Sequence, residues 1–133
     1  MKLLPDTNAL VYETVEDSEH HASVSKILEE ANTVYIPTIV LYEYIWVMLK
    51  LSVDPEFISL KLNEYYENPK IRFIQEGLEP VTEALRNLKE RGLAASDIND
   101  LIILHVAKRN DLTLLTFDKR LKALSKRNGV KVI

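Results

Sequence analysis

The chain has 133 residues, a net charge of −3 and no cysteine, which excludes disulfides, thiolate zinc sites and cysteine nucleophiles. A content of 47% hydrophobic and 28% charged residues suits one domain, residues 1–133, with one sizeable core, and argues against disorder. The charge is uneven: residues 1–99 hold 9 basic and 17 acidic side chains and residues 100–133 hold 8 and 3, so the C-terminal third either binds phosphates or solvates two helices through Lys108, Arg109, Lys122, Lys126 and Arg127.

In chain order, Lys2 to Pro5 reads as a short buried strand ending at Asp6. Asp17 or Ser18 is placed to cap a helix from about Glu19 to Ala31, with Val24, Ile27, Leu28 and Ala31 at helical spacing. Val34 to Pro37 is a strand, and Thr38 opens an apolar helix through Lys50. Asp54-Pro55 starts a helix that ends near Asn68-Pro69. Ile71 to Ile74 is a strand, Glu79-Pro80 starts a helix and Gly92 ends it. Ser96 or Asp97 caps a helix from Ile98 to Asn110. Leu112 to Thr116 is a strand, Asp118 to Arg127 a basic helix, and Val130 to Ile133 a last strand. Alternating helices and continuous apolar strands predict a mainly parallel sheet covered on both faces, a three-layer α/β fold. The charge at Asp6 comes too early for a signal peptide. Glu43 interrupts the longest apolar run, Thr38 to Leu49, so no membrane span is expected. A cytoplasmic location fits.

Ligands of open α/β sheets bind beyond the carboxyl ends of the strands. Asp6 and Asp118 fall there. Asp100 lies in the first turn of the helix leading into the fourth strand, and Glu43 lies about two turns into the apolar helix. Each has a bland explanation: a turn for Asp6, a cap for Asp118, the helix dipole for Asp100, a buried ion pair for Glu43. No basic residue precedes Lys50 in the helix of Glu43, and a helix this apolar is expected to be largely buried. Four acids on one edge repel unless cations lie between them. Hard ions such as Mg²⁺ or Mn²⁺ take such oxygen ligands.

Four segments carry a resemblance: Asp6-Thr7-Asn8-Ala9-Leu10, Leu41-Tyr42-Glu43, Asp100-Leu101-Ile102-Ile103 with Ala107, and Leu114-Leu115-Thr116-Phe117-Asp118-Lys119-Arg120. In this order, from residue 3 to residue 120, the chain resembles the PIN-domain nucleases, and among them the VapC-type toxins. The resemblance implies a parallel five-stranded sheet in the order 3-2-1-4-5. It implies metal-dependent RNA cleavage, frequent homodimers and often an antitoxin partner. It places the acidic ligands on Asp6, Glu43, Asp100 and Asp118, with Thr7, Asn8 and Thr116 as small polar neighbours. Leu101, where alanine is common, and the bulky Leu104-His105 depart from the pattern without touching the acids.

The corresponding chemistry is hydrolysis by a water oriented for in-line attack at an ion held by Asp6 and Asp118, with Asp100 and Glu43 completing or orienting the shell. Lys119 and Arg120 are candidates for flanking phosphates. Asp97, three residues before Asp100, is either a helix cap or a metal-proximal acid. His20 and His21 read as surface residues and His105 as a core or interface residue. Tyr42, Tyr44 and Trp46 read mostly as core. Large apolar side chains on Tyr42 to Leu51 and Phe57 to Tyr66 suggest a homodimer. Two rivals remain: a non-catalytic PIN-fold module that binds RNA or protein, and a phosphotransfer domain, for which Asp6-Thr7-Asn8 lacks a second Asp. A dinucleotide fold is excluded by the absence of a Gly-rich turn.

Overall fold

The computed structural model describes residues 1–133. Four short strands form one parallel sheet: β1 (Lys2–Pro5), β2 (Thr33–Pro37), β3 (Ile71–Ile74) and β4 (Thr113–Leu115), in the order β3-β2-β1-β4. Leu3 pairs with Val34 on one side and with Thr113 on the other. All four strands therefore end at the same edge. The expected fifth strand is not formed. Leu114 makes one parallel bridge to Val132, with Leu114 N donating to Lys131 O at 2.8 Å and Ile133 N to Leu114 O at 3.0 Å. The segment lies beside β4 as expected, and it pairs through too few residues to make a strand.

Seven helices cover the sheet: α1 (Thr7–Thr14), α2 (His21–Glu30), α3 (Thr38–Lys50), α4 (Pro55–Glu67), α5 (Leu78–Glu90), α6 (Ile98–Arg109) and α7 (Lys119–Arg127). α1 contacts α2 and α3, and α3 contacts α4. α6 contacts α5 and α7. The two groups take opposite faces because the chain runs β1 to β2 to β3 in one direction and then returns past β1 to β4, and parallel crossovers are right-handed. The result is the expected three-layer α/β/α arrangement. Its core is one cluster of 27 buried apolar residues, including Leu3, Leu4, Leu101, Ile103, Leu104, Leu114 and Leu115.

Most helix ends follow local chemistry. Asp54 caps α4 through Glu56 N at 2.8 Å, with proline in the first turn. Gly92, with a φ of +59°, closes α5 in the left-handed conformation that glycine adopts without strain. α1 was not expected from the sequence, and its cap is Asp6 itself. α2 starts at His21, and neither Asp17 nor Ser18 caps it; the Ser18 hydroxyl donates instead to Tyr12 O at 2.9 Å. Nor is His20 a free surface residue. Its ring stacks on Phe117 with centroids 4.0 Å apart and meets Tyr12 edge-on at 4.9 Å. His105 is buried between α5 and α6, 3.4 Å from Glu83, and burial depresses its pKa.

The largest departure is α3, which is not buried on most faces. Tyr44 is fully enclosed, whereas Tyr42 is 65% and Trp46 60% exposed. Residues 42 and 46 share one helical face and residue 44 points the opposite way. Tyr44 instead joins a buried polar ladder: its hydroxyl lies 2.8 Å from Thr14 Oγ1, which is 3.4 Å from the Tyr65 hydroxyl, and Tyr65 donates to Glu13 at 2.5 Å. No helix is long and apolar enough to cross a membrane.

Candidate active site

Strand order reverses beside β1, between β1 and β4, and the crevice beyond such a switch point is where open α/β sheets bind ligands. Asp6 follows β1 there. Its backbone N–H donates to Leu115 O at 3.0 Å, which ties it to β4. Its Oδ1 accepts from Ala9 N at 2.9 Å, and its Oδ2 accepts from Thr116 Oγ1 at 2.5 Å. The residue is 5% exposed. Burial pushes its pKa up to about 6, and the charges of Asp118 and Glu43 add to the rise against the opposing hydrogen bonds.

Asp118 caps α7. Its Oδ1 accepts from Arg120 N at 2.8 Å and Leu121 N at 3.1 Å, while its own N–H donates to Thr116 Oγ1 at 3.0 Å. Thr116 therefore links Asp6 and Asp118 through one hydroxyl. The cap expected as the bland alternative for Asp118 is real, and its second oxygen remains available to the cleft. Glu43 is half-buried. Its carboxylate accepts from Thr7 Oγ1 at 3.1 Å and from Asn99 Nδ2 at 3.2 Å, so neutral donors hold it in place of a base. Asp100, in the first turn of α6, has no hydrogen bond to offset its burial. Burial comes first in pushing its pKa up to about 6, followed by the charges of Asp118, Asp6, Glu43 and Asp97.

Asp6, Thr7, Asn8, Glu43, Asp100 and Asp118, with Val47 and Ile103, line one cleft that contains no basic side chain. All four acids expected from the sequence, and Thr7 and Asn8 with them, are thus brought together. Thr116 supports Asp6 from beneath. Asp97 is not among the lining residues. It accepts a two-pronged hydrogen bond from Arg120, Nε to Oδ1 at 2.9 Å and Nη2 to Oδ2 at 2.8 Å, and its Oδ2 also accepts from Ala94 N at 3.0 Å. The Arg120 guanidinium holds the Asp97 carboxyl below its usual range. Asp97 thus does not cap α6 with its side chain, and Arg120 is engaged by a carboxylate instead of being free for phosphate. Lys119 is exposed at the start of α7. Sequence reasoning missed Asn99. Its signal was position: a polar side chain beside Asp100, on a helix facing a glutamate that lacked a donor.

The donors fit a divalent cation by chemistry, being carboxylate, hydroxyl and amide oxygens. They do not yet converge: no three acidic or imidazole side chains stand close enough to hold an ion. Asp6, Glu43 and Asp118 are each pulled by the hydrogen bonds just described, leaving Asp100 as the acid with no competing contact.

A family model for the PIN domain matches residues 3–127. The chain belongs to the PIN domain family. Among solved structures, this PIN domain is similar to VapBC2 from Rickettsia felis bound to a promoter DNA fragment, at 24% identity and a TM-score of 0.74, covering 100% of this chain and 98% of that one. It is similar to VapC20 of Mycobacterium tuberculosis, a sarcin-ricin loop cleaving toxin, at 12% identity and a TM-score of 0.78, covering 92% and 94%. PAE2754 from Pyrobaculum aerophilum is 25% identical over 99% of this chain and 83% of that one, with a TM-score of 0.66. No curated protein matches the sequence at a significant level.

Proposed function

We propose that residues 1–133 form a single PIN-like nuclease domain that acts as a divalent-metal-dependent endoribonuclease, the toxin of a toxin–antitoxin pair. One observation carries the reading: Asp6 and Asp100, from different elements, face one cleft free of basic groups, and both are pushed up to about 6. Such an arrangement is costly unless a cation offsets it. Family membership and the likeness to VapC toxins add support.

Asp6, Asp100 and Asp118 would hold Mg²⁺ or Mn²⁺, with Glu43 as a further ligand or an anchor for a water. When bound, the ion supplies charge neutralisation and Lewis acidity at the phosphodiester. Thr116 orients Asp6, Thr7 and Asn99 orient Glu43, and the cap at α7 fixes Asp118. These contacts confine the acids before substrate arrives, which is the condition for stabilising developing charge at small reorganisation cost. Asn8, also in the cleft, would contact the substrate or an ordered water, and Lys119 a flanking phosphate.

The apolar side chains left exposed on α3 and α4, among them Tyr42, Trp46, Leu49, Phe57 and Leu60, favour a homodimer or an antitoxin contact, since patches of this kind mark interfaces. A cytoplasmic location goes with this reading. The rival is a non-catalytic PIN module for RNA or protein binding, favoured by the one fact that no three acids converge. The deciding experiment is cleavage of a mixed RNA pool with and without Mn²⁺, comparing wild type with Asp6→Asn. Metal-dependent cleavage lost in the variant is expected. No cleavage at any metal concentration supports the rival.

A further inference from the structure

Lys119, Lys122, Lys126 and Arg127 of α7 are paired with no carboxylate, as are most cations of the chain other than Lys61, Arg109 and Arg120, so their placement and not the lack of a partner sets them apart. The spacing of Lys119, Lys122 and Lys126 puts these three on a single stripe, opposite the buried Leu121, Leu124 and Ser125 that fix the helix to the core, while Arg127, seven residues after Arg120, lies on the flank of Arg120. The bland account is that cations near a helix C-terminus favour its dipole. It covers Lys126 and Arg127, which lie in the last turn. It fails for Lys119, the first residue of α7, where the dipole disfavours a cation. The chain as a whole is acidic, so the stripe does not follow from an overall excess of basic residues. It also begins at the residue after Asp118, on the rim of the acidic cleft.

We infer that α7 is the track for the substrate strand: a single-stranded RNA leaves the cleft at Asp118 with its phosphates along Lys119, Lys122 and Lys126. This rests on the ribonuclease reading and deepens it by naming which face holds the flanking strand. A cleft of four acids repels phosphodiesters, and an adjoining rigid line of unpaired cations draws the strand to its edge. Arg120, held by Asp97, stands outside the stripe and contributes through that pairing alone. The track reads backbone charge, so it confers affinity with no preference for base sequence.

The test compares Lys122→Ala/Lys126→Ala with a control of equal charge change on other faces, Lys26→Ala/Lys89→Ala. Alanine is a good helix former, so α7 stays intact. Binding of a labelled single-stranded RNA is measured by anisotropy in chelator, where no cleavage occurs, across a salt series. The α7 variant should bind roughly tenfold more weakly near 0.1 M salt and lose about 1.4 from the salt slope, about 0.7 for each phosphate contact removed. In the presence of metal its KM should rise while kcat holds. Equal losses in both variants, or none in the α7 variant, would overturn the track even if wild type cleaves RNA. Absence of cleavage by wild type would instead overturn the ribonuclease reading, and the salt slopes in chelator would still decide the track. RNA binding unchanged in the α7 variant while an acidic peptide is lost would assign the stripe to a protein partner.

Discussion

Asp97 and Asp100 sit three residues apart at the start of α6, and their environments are opposite. Asp97 is the more buried, at 6% exposed, yet its carboxyl is held below the usual range because Arg120 and Ala94 N satisfy it. Asp100 is only half-buried, yet it is pushed up to about 6 with nothing donating to it. Burial raises Asp100 unopposed, whereas at Asp97 the donors outweigh it, so partnering decides which way the carboxyl moves. A satisfied acid stabilises the fold, and an unsatisfied one facing other acids costs stability, which is the cost the proposed cation would offset.

The comparison breaks most decisively on substitution. Asp100→Asn should lower RNA cleavage by about 10²-fold or more, in the range lost with a group that stabilises transition-state charge. Apo stability should hold or rise, because a like charge leaves the cluster. Asp97→Asn should do the reverse, lowering the melting temperature while retaining most cleavage. Urea unfolding in chelator and cleavage with Mn²⁺ decide it, and exchanged outcomes would exchange the roles. Asp118 tests the dual case. Asparagine caps helices as well as aspartate does, so Asp118→Asn should lose cleavage with stability kept, whereas Asp118→Ala should lose cleavage and about 0.5–2 kcal/mol as well.

A smaller effect follows from pH. Asp6 and Asp100 titrate higher in the folded chain, about 6, than in the unfolded one, about 4. The unfolded chain therefore releases these protons first. Their contribution is fully present below about pH 4 and is lost as pH rises through about 6. The melting temperature of the metal-free protein should fall across that window more than in Asp6→Asn. Saturating Mn²⁺ should reverse the trend above pH 6. Curves that coincide for wild type and variant would place the Asp6 carboxyl in its ordinary range.

The smallest effect carries the sharpest sign. If Arg120 acts only as a nearby charge, Arg120→Ala should tighten Mn²⁺ binding, because a competing cation is gone. If its fork to Asp97 sets the spacing of the starts of α6 and α7, where Asp100 and Asp118 reside, the same change should weaken binding by about tenfold, the lower end of what supporting residues contribute. Calorimetric titration distinguishes the two. Arg120→Lys should fall between, since lysine keeps the charge and loses the planar fork.

The four strands, six of the seven helices and the four acids were legible because each rests on a local pattern, whereas the order of the strands in the sheet came from the family resemblance. Continuous apolar runs mark the strands, and the acids follow strand ends or interrupt apolar helices. What was not legible depends on partners distant in sequence. The partner of Asp97 lies 23 residues on. Glu43 is satisfied by Thr7 and Asn99, one from each side of the chain. Periodicity marked α3 as apolar but could not tell that Tyr44 meets Thr14 while Tyr42 and Trp46 face outward, exposed. α1 escaped because its eight residues are short and its cap reads equally well as a turn. The fifth strand failed because only one bridge joins its few residues to β4.

Trp46 is the sole tryptophan. It stands 60% exposed on the helix that carries Glu43, with the Lys50 ammonium 4.3 Å from its ring centroid. Because the indole already faces water, its emission should change little in colour when the chain unfolds, and it is a poor reporter of denaturation. Anything that covers this side of α3, whether a second copy or another polypeptide, strips water and displaces the ammonium, moving the emission to the blue. The protein thus carries an intrinsic optical label for association, readable without a dye and separable from folding.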